Sequence, residues 1–359
     1  MKIILSFDSF KGCMSAQEAC LAAEKGVKAA MPLAETRIMA LSDGGEGLVD
    51  CVRRLLPTTA VTVTVHGPLM DEVRATYAIS ADNNTAYMEM AAASGLTLIP
   101  EERRDPLSAT TFGTGEMMAD AIKRGCGRII MGLGGSATCD AGKGMLEALE
   151  REGCLDTNVG VVAACDVTNP LYGPDGSAYV FAPQKGATAD VTATLDQRLR
   201  QFAEATEKAG VTPHATALLP GAGAAGGLGY ALTAYLKAEL KPGIEILLDI
   251  AGFDTMAADA DLVITGEGKS DRQTLMGKVP CGVLNRCRRL GVQVWLLSGC
   301  IDDTDGQLAA RYDLTQSINE GDTRPLDVLM RRENATRNLE DTLRRCIAGH
   351  FRETALPTR

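Results

Sequence analysis

The sequence predicts an α/β protein of two domains, one of them discontinuous in the chain. Three observations carry this. The first sixty residues alternate short apolar runs with stretches of helical periodicity. Residues 61–90 change character, with strict two-residue alternation broken by turn signals. Beyond residue 255 the opening pattern returns. A chain of 359 residues has room for two such domains.

The elements follow in order. Ile3–Ser6 reads as a strand. Ser15 then precedes a helical stretch, Ala16–Met31, with Glu18 three residues on, which is the pattern of a capping box. Thr36–Leu41 reads as a second strand and runs into Ser42-Asp43-Gly44-Gly45-Glu46-Gly47, with a helix over Gly47–Leu56. Repetition of strand, loop and helix implies a parallel sheet whose functional loops lie at the carboxyl ends of its strands. Val61–His66, Arg74–Ser80 and Ala86–Met90, separated by Gly67-Pro68 and Asn83-Asn84, predict an antiparallel meander. Thr114–Arg124 reads as a helix, Arg128–Met131 and Gly160–Ala164 as buried strands, and the stretch from 185 to Ala209 as helical. Ala260–Thr265, Gln293–Ser298 and Leu314–Ile318 predict further parallel strands. Asp327–Arg352 predicts one or two charged amphipathic helices. The expected division is residues 1–60 with 255–359 as one α/β domain and 61–254 as the inserted one.

Composition removes several function classes. The net charge is −10, from 36 Lys and Arg against 46 Asp and Glu, and no basic run offsets it. With aromatics at 4%, a nucleic-acid partner is not expected. Eleven cysteines lie without CxxC spacing, and His66, His214 and His350 are far apart in sequence, so neither a disulfide framework nor a zinc site is expected. The Gly-x-Ser-x-Gly motif of a nucleophilic serine is missing. The N-terminal apolar run is too short for a signal peptide, and no stretch of 18 residues is apolar and uncharged. These readings predict a cytoplasmic protein with reduced thiols and no membrane partner, a monomer or homodimer.

The segments with chemical potential all follow strands. Asp8, Ser9 and Lys11 place a carboxylate, a hydroxyl and an ammonium within four residues, suited to an anionic substrate or a metal-bound phosphate; a solvated loop is the alternative. In the 42–47 segment the glycines let backbone N–H groups approach an oxyanion. The carboxylates of Asp43 and Glu46 would repel phosphate unless Mg²⁺ intervenes, which favours metal-nucleotide binding or proton abstraction over plain phosphate binding. Helix capping by Asp43 is the competing explanation. Gly132–Gly142 follows a buried strand and predicts a phosphate cradle with Gly134, Gly135, Ser136 and Thr138. It is not a Walker A loop. Ala137 stands where the last glycine of a dinucleotide fingerprint would fall. Pro220–Gly229 is a second glycine loop, with Gly223, Gly226 and Gly227 as candidates for nucleotide binding and close helix packing as the alternative. In Gly266–Lys278, Glu267 and Asp271 are candidates to position Mg²⁺ or orient a hydroxyl, and Arg272 and Lys278 to neutralise phosphate oxygens.

Together these segments resemble the bacterial glycerate kinases of type I. The resemblance rests on DSFKG at 8–12, SDGGEG at 42–47, EMAAASGL at 89–96, TTFGTGE at 110–116, GLGGSAT at 132–138, ACDVTNPLYGP at 164–174, PQKGA at 183–187, PGAGAAGGLG at 220–229 and ITGEG at 264–268. These matches are in order and span nearly the whole chain. The resemblance implies two α/β domains, one with a flavodoxin-like parallel sheet and one mixed and restriction-enzyme-like, with the active site in the interdomain cleft. It implies transfer of the γ-phosphoryl group of ATP to D-glycerate with Mg²⁺, giving 2-phosphoglycerate and ADP.

On that pattern Asp43, Asp166 and Lys11 are the expected catalytic residues. Asp8, Ser9, Lys11, Arg272 and Lys278 would bind substrate. The glycine loops would bind the nucleotide, and the metal candidates are Asp43, Asp166, Glu267 and Asp271. One of Asp43 and Asp166 would take the substrate proton while the other helps hold Mg²⁺. The chain departs from the family where Cys139, Ala141 and Lys143 replace an asparagine and two small residues, at Lys269-Ser270, and around 150–161, which is short. A non-catalytic metabolite sensor and a nicotinamide-dependent dehydrogenase are the rival classes. ATP consumption in the presence of glycerate separates the first rival from the kinase, and a nicotinamide absorbance change would reveal the second.

Overall fold

The computed structural model describes residues 1–41 and 47–353. Along the chain run β1 (Lys2–Phe7), α1 (Ala16–Ala30), β2 (Glu35–Ile38), α2 (Leu48–Leu55), β3 (Thr58–His66), β4 (Glu72–Ser80) and β5 (Thr85–Glu89). There follow α3 (Phe112–Lys123), β6 (Arg128–Gly132), α4 (Lys143–Arg151), β7 (Gly160–Ala164), α5 (Ala189–Lys208), α6 (Ala224–Leu236), β8 (Glu239–Lys241) and α7 (Gly243–Ile250). The chain closes with β9 (Leu262–Gly266), α8 (Val279–Leu290), β10 (Gln293–Ser298), β11 (Leu314–Ser317) and α9 (Arg332–Glu353), with shorter turns of helix between. These elements form two units, residues 1–43 with 247–359 and residues 44–246.

In the first unit the described strands make a five-stranded sheet in the order β11-β10-β9-β1-β2, with every pair parallel. Counted within the unit this is 2-1-3-4-5, the doubly wound order, and the winding reverses between β1 and β9. Ligands of such sheets bind outside the carboxyl ends of the two strands at the reversal. Here those ends are Phe7 and Gly266, paired in register. Ile3, Leu5, Phe7, Leu262 and Trp295 form the core with α1 and α9. Ser15 caps α1 as its sequence predicts: its hydroxyl accepts from Glu18 N–H at 3.3 Å, and Glu18 accepts from Ser15 N–H at 2.9 Å. Gly26 lets α9 lie close, since a Cβ there would stand 2.6 Å from the Glu340 carbonyl.

In the second unit β3 to β8 form a six-stranded sheet in sequence order. The β3-β4-β5 meander is antiparallel, as its alternation predicts. The third strand then pairs parallel with β6, and β6, β7 and β8 continue parallel. Thus Thr85–Glu89 is a meander strand on one edge and a parallel strand on the other, a double role that its short alternation does not reveal. The second strand of the first unit is shorter than its apolar run suggests. Met39 and Leu41 still bond to β1, through the carbonyls of Leu5 and Phe7. Helix α2 belongs with the second sheet. The Glu89 carboxylate at the end of β5 accepts from the N–H groups of Gly47 at 2.5 Å and Leu48 at 3.1 Å, which satisfies two otherwise orphaned donors of α2. Among the described residues no helix is long and apolar enough to cross a membrane. All eleven cysteines are free thiols.

Candidate active site

In the second unit, a cavity of about 420 Å³ opens at the carboxyl ends of β6 and β7. Its wall includes Gly134–Ser136, Asp166, Lys185, Arg104 and the Ala224–Ala225 backbone. The loop after β6 is held in place before any ligand arrives. Leu96 N–H donates to the Gly135 carbonyl at 2.8 Å, Ala137 N–H donates to Ser94 at 2.9 Å, and Gly135 takes a φ of +71° that lets the chain turn there. Lys185 completes the loop. It is 2% exposed, and its ammonium donates to the Ser136 hydroxyl and the Thr138 carbonyl, each at 2.7 Å. Burial pulls its pKa down to about 8, with Cys139 and Asp140 acting in the other direction. Two of its three donors serve the loop. The same residue borders the cavity, so an anion bound there meets a desolvated cation. Arg104 adds a second cation, a guanidinium, to the wall, with a buried Nε that has no partner among the described residues.

Lys185 escaped the list of sequence candidates. The signal was present: it lies in PQKGA at 183–187, a lysine between Pro183 and Gly186. Only the fold brings it to residues nearly fifty positions away.

The second glycine loop is packed on the first. A Cβ on Gly226 would stand 1.9 Å from the Thr138 carbonyl, and one on Gly227 2.9 Å from Ala141 Cα. One on Gly223 would stand 2.2 Å from the Pro170 carbonyl. Ala141 N–H donates to the Gly226 carbonyl at 3.0 Å. Ala225, Gly226 and Gly227 are all left-handed, with φ of +52°, +71° and +92°. The glycines thus allow two loops to interlock, and Ala224 and Ala225 reach the cavity. Thr138 is fully buried and its hydroxyl has no partner among the described residues. Cys139 turns into an apolar cluster with Leu171, Leu195 and Tyr230, where burial raises its thiol to about 11. Asp140 ties the loop to α3 and α4: its carboxylate accepts from Thr111 N–H and Oγ1, both at 2.8 Å, and from the N–H groups of Gly142 and Gly144 at 3.1 Å. Asp166, at the end of β7, accepts from Gly243 N–H at 2.9 Å.

In the first unit the loops after β1 and β9 meet at the winding reversal. Asp8 N–H donates to the Gly266 carbonyl at 2.9 Å, and Ser9 N–H donates to the Asp8 carboxylate at 2.6 Å. A Cβ on Gly268 would stand 3.3 Å from Lys11 N. Lys11 and Arg272 are exposed. Glu267 is 6% exposed. Its Oε1 accepts from Thr274 Oγ1 at 2.6 Å and Ser270 Oγ at 3.1 Å, and its Oε2 lies 3.5 Å from Lys278 Nζ. Asp271 caps the short helix after it, accepting from Gln273 N–H at 2.9 Å, and pairs with Lys269 at 3.2 Å. That backbone bond, with Lys269, holds the Asp271 carboxyl below the usual range. Asp43 lies outside the described residues.

The donors present bear on Mg²⁺. Magnesium takes oxygen ligands from one or two carboxylates plus phosphate and water. Among the described residues no three His, Cys, Asp or Glu side chains gather as a cage. Asp166, on the cavity wall, fits the role of a single carboxylate beside a polyphosphate. Glu267 and Asp271 fit poorly, because hydroxyls, a backbone N–H and ammonium groups occupy their oxygens.

Strand-end glycine loops served by a buried lysine are the equipment of α/β enzymes that handle phosphate groups. Comparison with known proteins narrows the class. The model of the glycerate kinase family matches residues 3–158 and 151–350, and the two matches meet in the short stretch between α4 and β7. The glycerate kinase of Bacillus subtilis (strain 168) is 43% identical, with 96% of each chain aligned. The glycerate 2-kinase of Escherichia coli (strain K12) is 41% identical over 85% of this chain and 87% of its own. A crystal structure assigned as glycerate kinase 2 from Salmonella typhimurium LT2 superposes with a TM-score of 0.83 at 38% identity, covering 99% of this chain and 100% of that one. This chain belongs to the glycerate kinase family.

Proposed function

We propose that this protein transfers the γ-phosphoryl group of ATP to the 2-hydroxyl of D-glycerate, releasing 2-phosphoglycerate and ADP. The carrying observation is likeness over most of the chain to relatives named glycerate kinase and glycerate 2-kinase. The cavity with Lys185 at its wall supports it. On this reading the first unit is the flavodoxin-like domain, by its strand order, and the second the restriction-enzyme-like one. The protein acts in the cytoplasm as a monomer or homodimer.

The nucleotide phosphates lie against Gly134, Gly135, Ser136 and Thr138, with Lys185 neutralising an oxygen and Gly223, Gly226 and Gly227 shaping the loop from behind. Asp166 would hold Mg²⁺, which when bound offsets charge on the phosphates. Ser9 and Lys11 take the glycerate carboxylate, Asp8 belongs to the same substrate-binding loop, and Arg272 and Lys278 face charge that spreads over the transferred group. Asp43 takes the proton of the attacking hydroxyl. Phosphoryl transfer asks mainly for positioning and electrostatic stabilisation, which loops of this composition supply.

The test is a ³¹P spectrum of products after incubation with D-glycerate and MgATP. A 2-phosphoglycerate resonance is expected. A 3-phosphoglycerate resonance would keep the kinase and overturn the hydroxyl, and no phosphorylated product from folded protein would overturn the activity. Asp43→Asn should lower turnover far more than it weakens ATP binding; equal losses would move Asp43 to nucleotide or metal binding.

A further inference from the structure

We infer that Glu267 is a positioning residue that holds the Lys278 ammonium in place for catalysis, and not a metal ligand. The inference rests on the proposed role of Lys278 in neutralising the transferred phosphoryl group.

Lys278 occupies an awkward place. It is the residue before the first turn of α8, a helix of 12 residues, and no side chain caps that end. The partial positive charge of a helix N-terminus repels a cation, so an ammonium left to itself there swings out to water. Its side chain is nevertheless partly covered, at 34% exposure, and stands 3.5 Å from Glu267 Oε2. Glu267 forms an ion pair with Lys278.

Glu267 is itself immobilised. It follows Gly266 at the end of β9, where a Cβ would meet the Leu297 carbonyl at 1.6 Å, so β9 and β10 are drawn tightly together. Two hydroxyls donate to its Oε1, from Thr274 and Ser270. Ser270 in turn shares a 2.7 Å bond with Ser298 at the end of β10. Ser270, Thr274 and Ser298 are all fully buried. Chains of hydroxyls like this fix one carboxylate orientation, which leaves Oε2 directed at the ammonium. A metal ion gripping both carboxylate oxygens would have to displace the two hydroxyl donors, and one at Oε2 alone would have to share that oxygen with a like-charged lysine.

A double-mutant cycle tests this on the full-length enzyme, with turnover, KM for ATP and the Mg²⁺ concentration for half-maximal rate as readouts. Lys278→Met is expected to lower kcat about a hundredfold, and Glu267→Gln, which keeps a carbonyl for both hydroxyls but loses the charge, about tenfold. The double variant should be no slower than Lys278→Met alone, within about a factor of two, because the carboxylate acts only through the lysine. KM for ATP and the Mg²⁺ requirement should not move. Additive losses, an unchanged kcat in Glu267→Gln, or a raised Mg²⁺ requirement would each overturn the inference. If Glu267→Gln does not fold, Thr274→Val, which removes one clamp at constant size, must show the same non-additivity with Lys278→Met. Full activity in Lys278→Met would instead defeat the assignment of Lys278 on which the inference rests.

Discussion

The Lys185 ammonium lies 2.7 Å from the Ser136 hydroxyl, a desolvated cation bonded to the loop most suited to hold phosphate. The pair joins residues 49 positions apart and makes the loop electropositive without exposing a charge to water. Its titration is therefore a direct report on the site.

Lys185 should make stability rise in alkali. Its native pKa is about 8 and its unfolded value about 10.4. Below pH 8 it is charged in both states, and burying that charge opposes folding. Between pH 8 and about 10.4 the unfolded chain still binds the proton that the native state has lost, so stability increases with pH. The full effect is about 3 kcal/mol. Urea unfolding at pH 7 and pH 10 should show this gain in the native protein relative to Lys185→Met. ATP should also be bound with proton uptake near pH 8 to 9, visible as buffer-dependent heat. A pH-independent stability difference between the two proteins would refute the buried ammonium.

Ala141 should be improvable. Its φ of +56° is costly for any residue with a Cβ. Ala141→Gly should stabilise the protein by ~1 kcal/mol, or about 2–4 °C in Tm. No gain in a melting experiment would mean that the loop relaxes elsewhere.

Gly226 and Gly153 separate strain from packing. Both have positive φ, +71° and +68°. An added Cβ at Gly153 meets nothing within 4 Å, whereas at Gly226 it strikes the Thr138 carbonyl. Gly153→Ala should cost ~1 kcal/mol of stability and leave kinetics alone. Gly226→Ala should in addition push the 134–138 loop and raise KM for ATP about tenfold or more. Matching kinetics in the two variants would show that the loops are not coupled.

Asp140 should prove structural. Its carboxylate receives only donors, so Asp140→Asn turns an NH₂ group toward one of them. A loss of about 2–3 kcal/mol in chemical denaturation is expected, with Mg²⁺ dependence unchanged. A shifted Mg²⁺ requirement would instead make Asp140 a ligand.

Much of the α/β character was legible in sequence because its signals are local. The Ser15–Glu18 capping box, the alternation of Val61–His66 and the apolar run before Gly132 each need only a few neighbouring residues. The glycine-rich turns were legible for the same reason, since left-handed backbone selects glycine. The site was less legible. Nothing near Lys185 in the chain marks it as a partner of Ser136, and Glu89 carries no local sign that it caps α2.

The sequence by itself determined the alternation of strands and helices, the positions of the phosphate-suited turns and the acidic character of the chain. These depend on backbone preferences and side-chain periodicity over a few residues. The tertiary structure alone decided what each polar group does. Asp140 and Glu267 read alike in sequence, as carboxylates in glycine-containing segments that follow strands. One ends up tying α3 and α4 to a loop and the other facing the Lys278 ammonium, because a carboxylate's role is set by whichever donors the fold delivers to its oxygens.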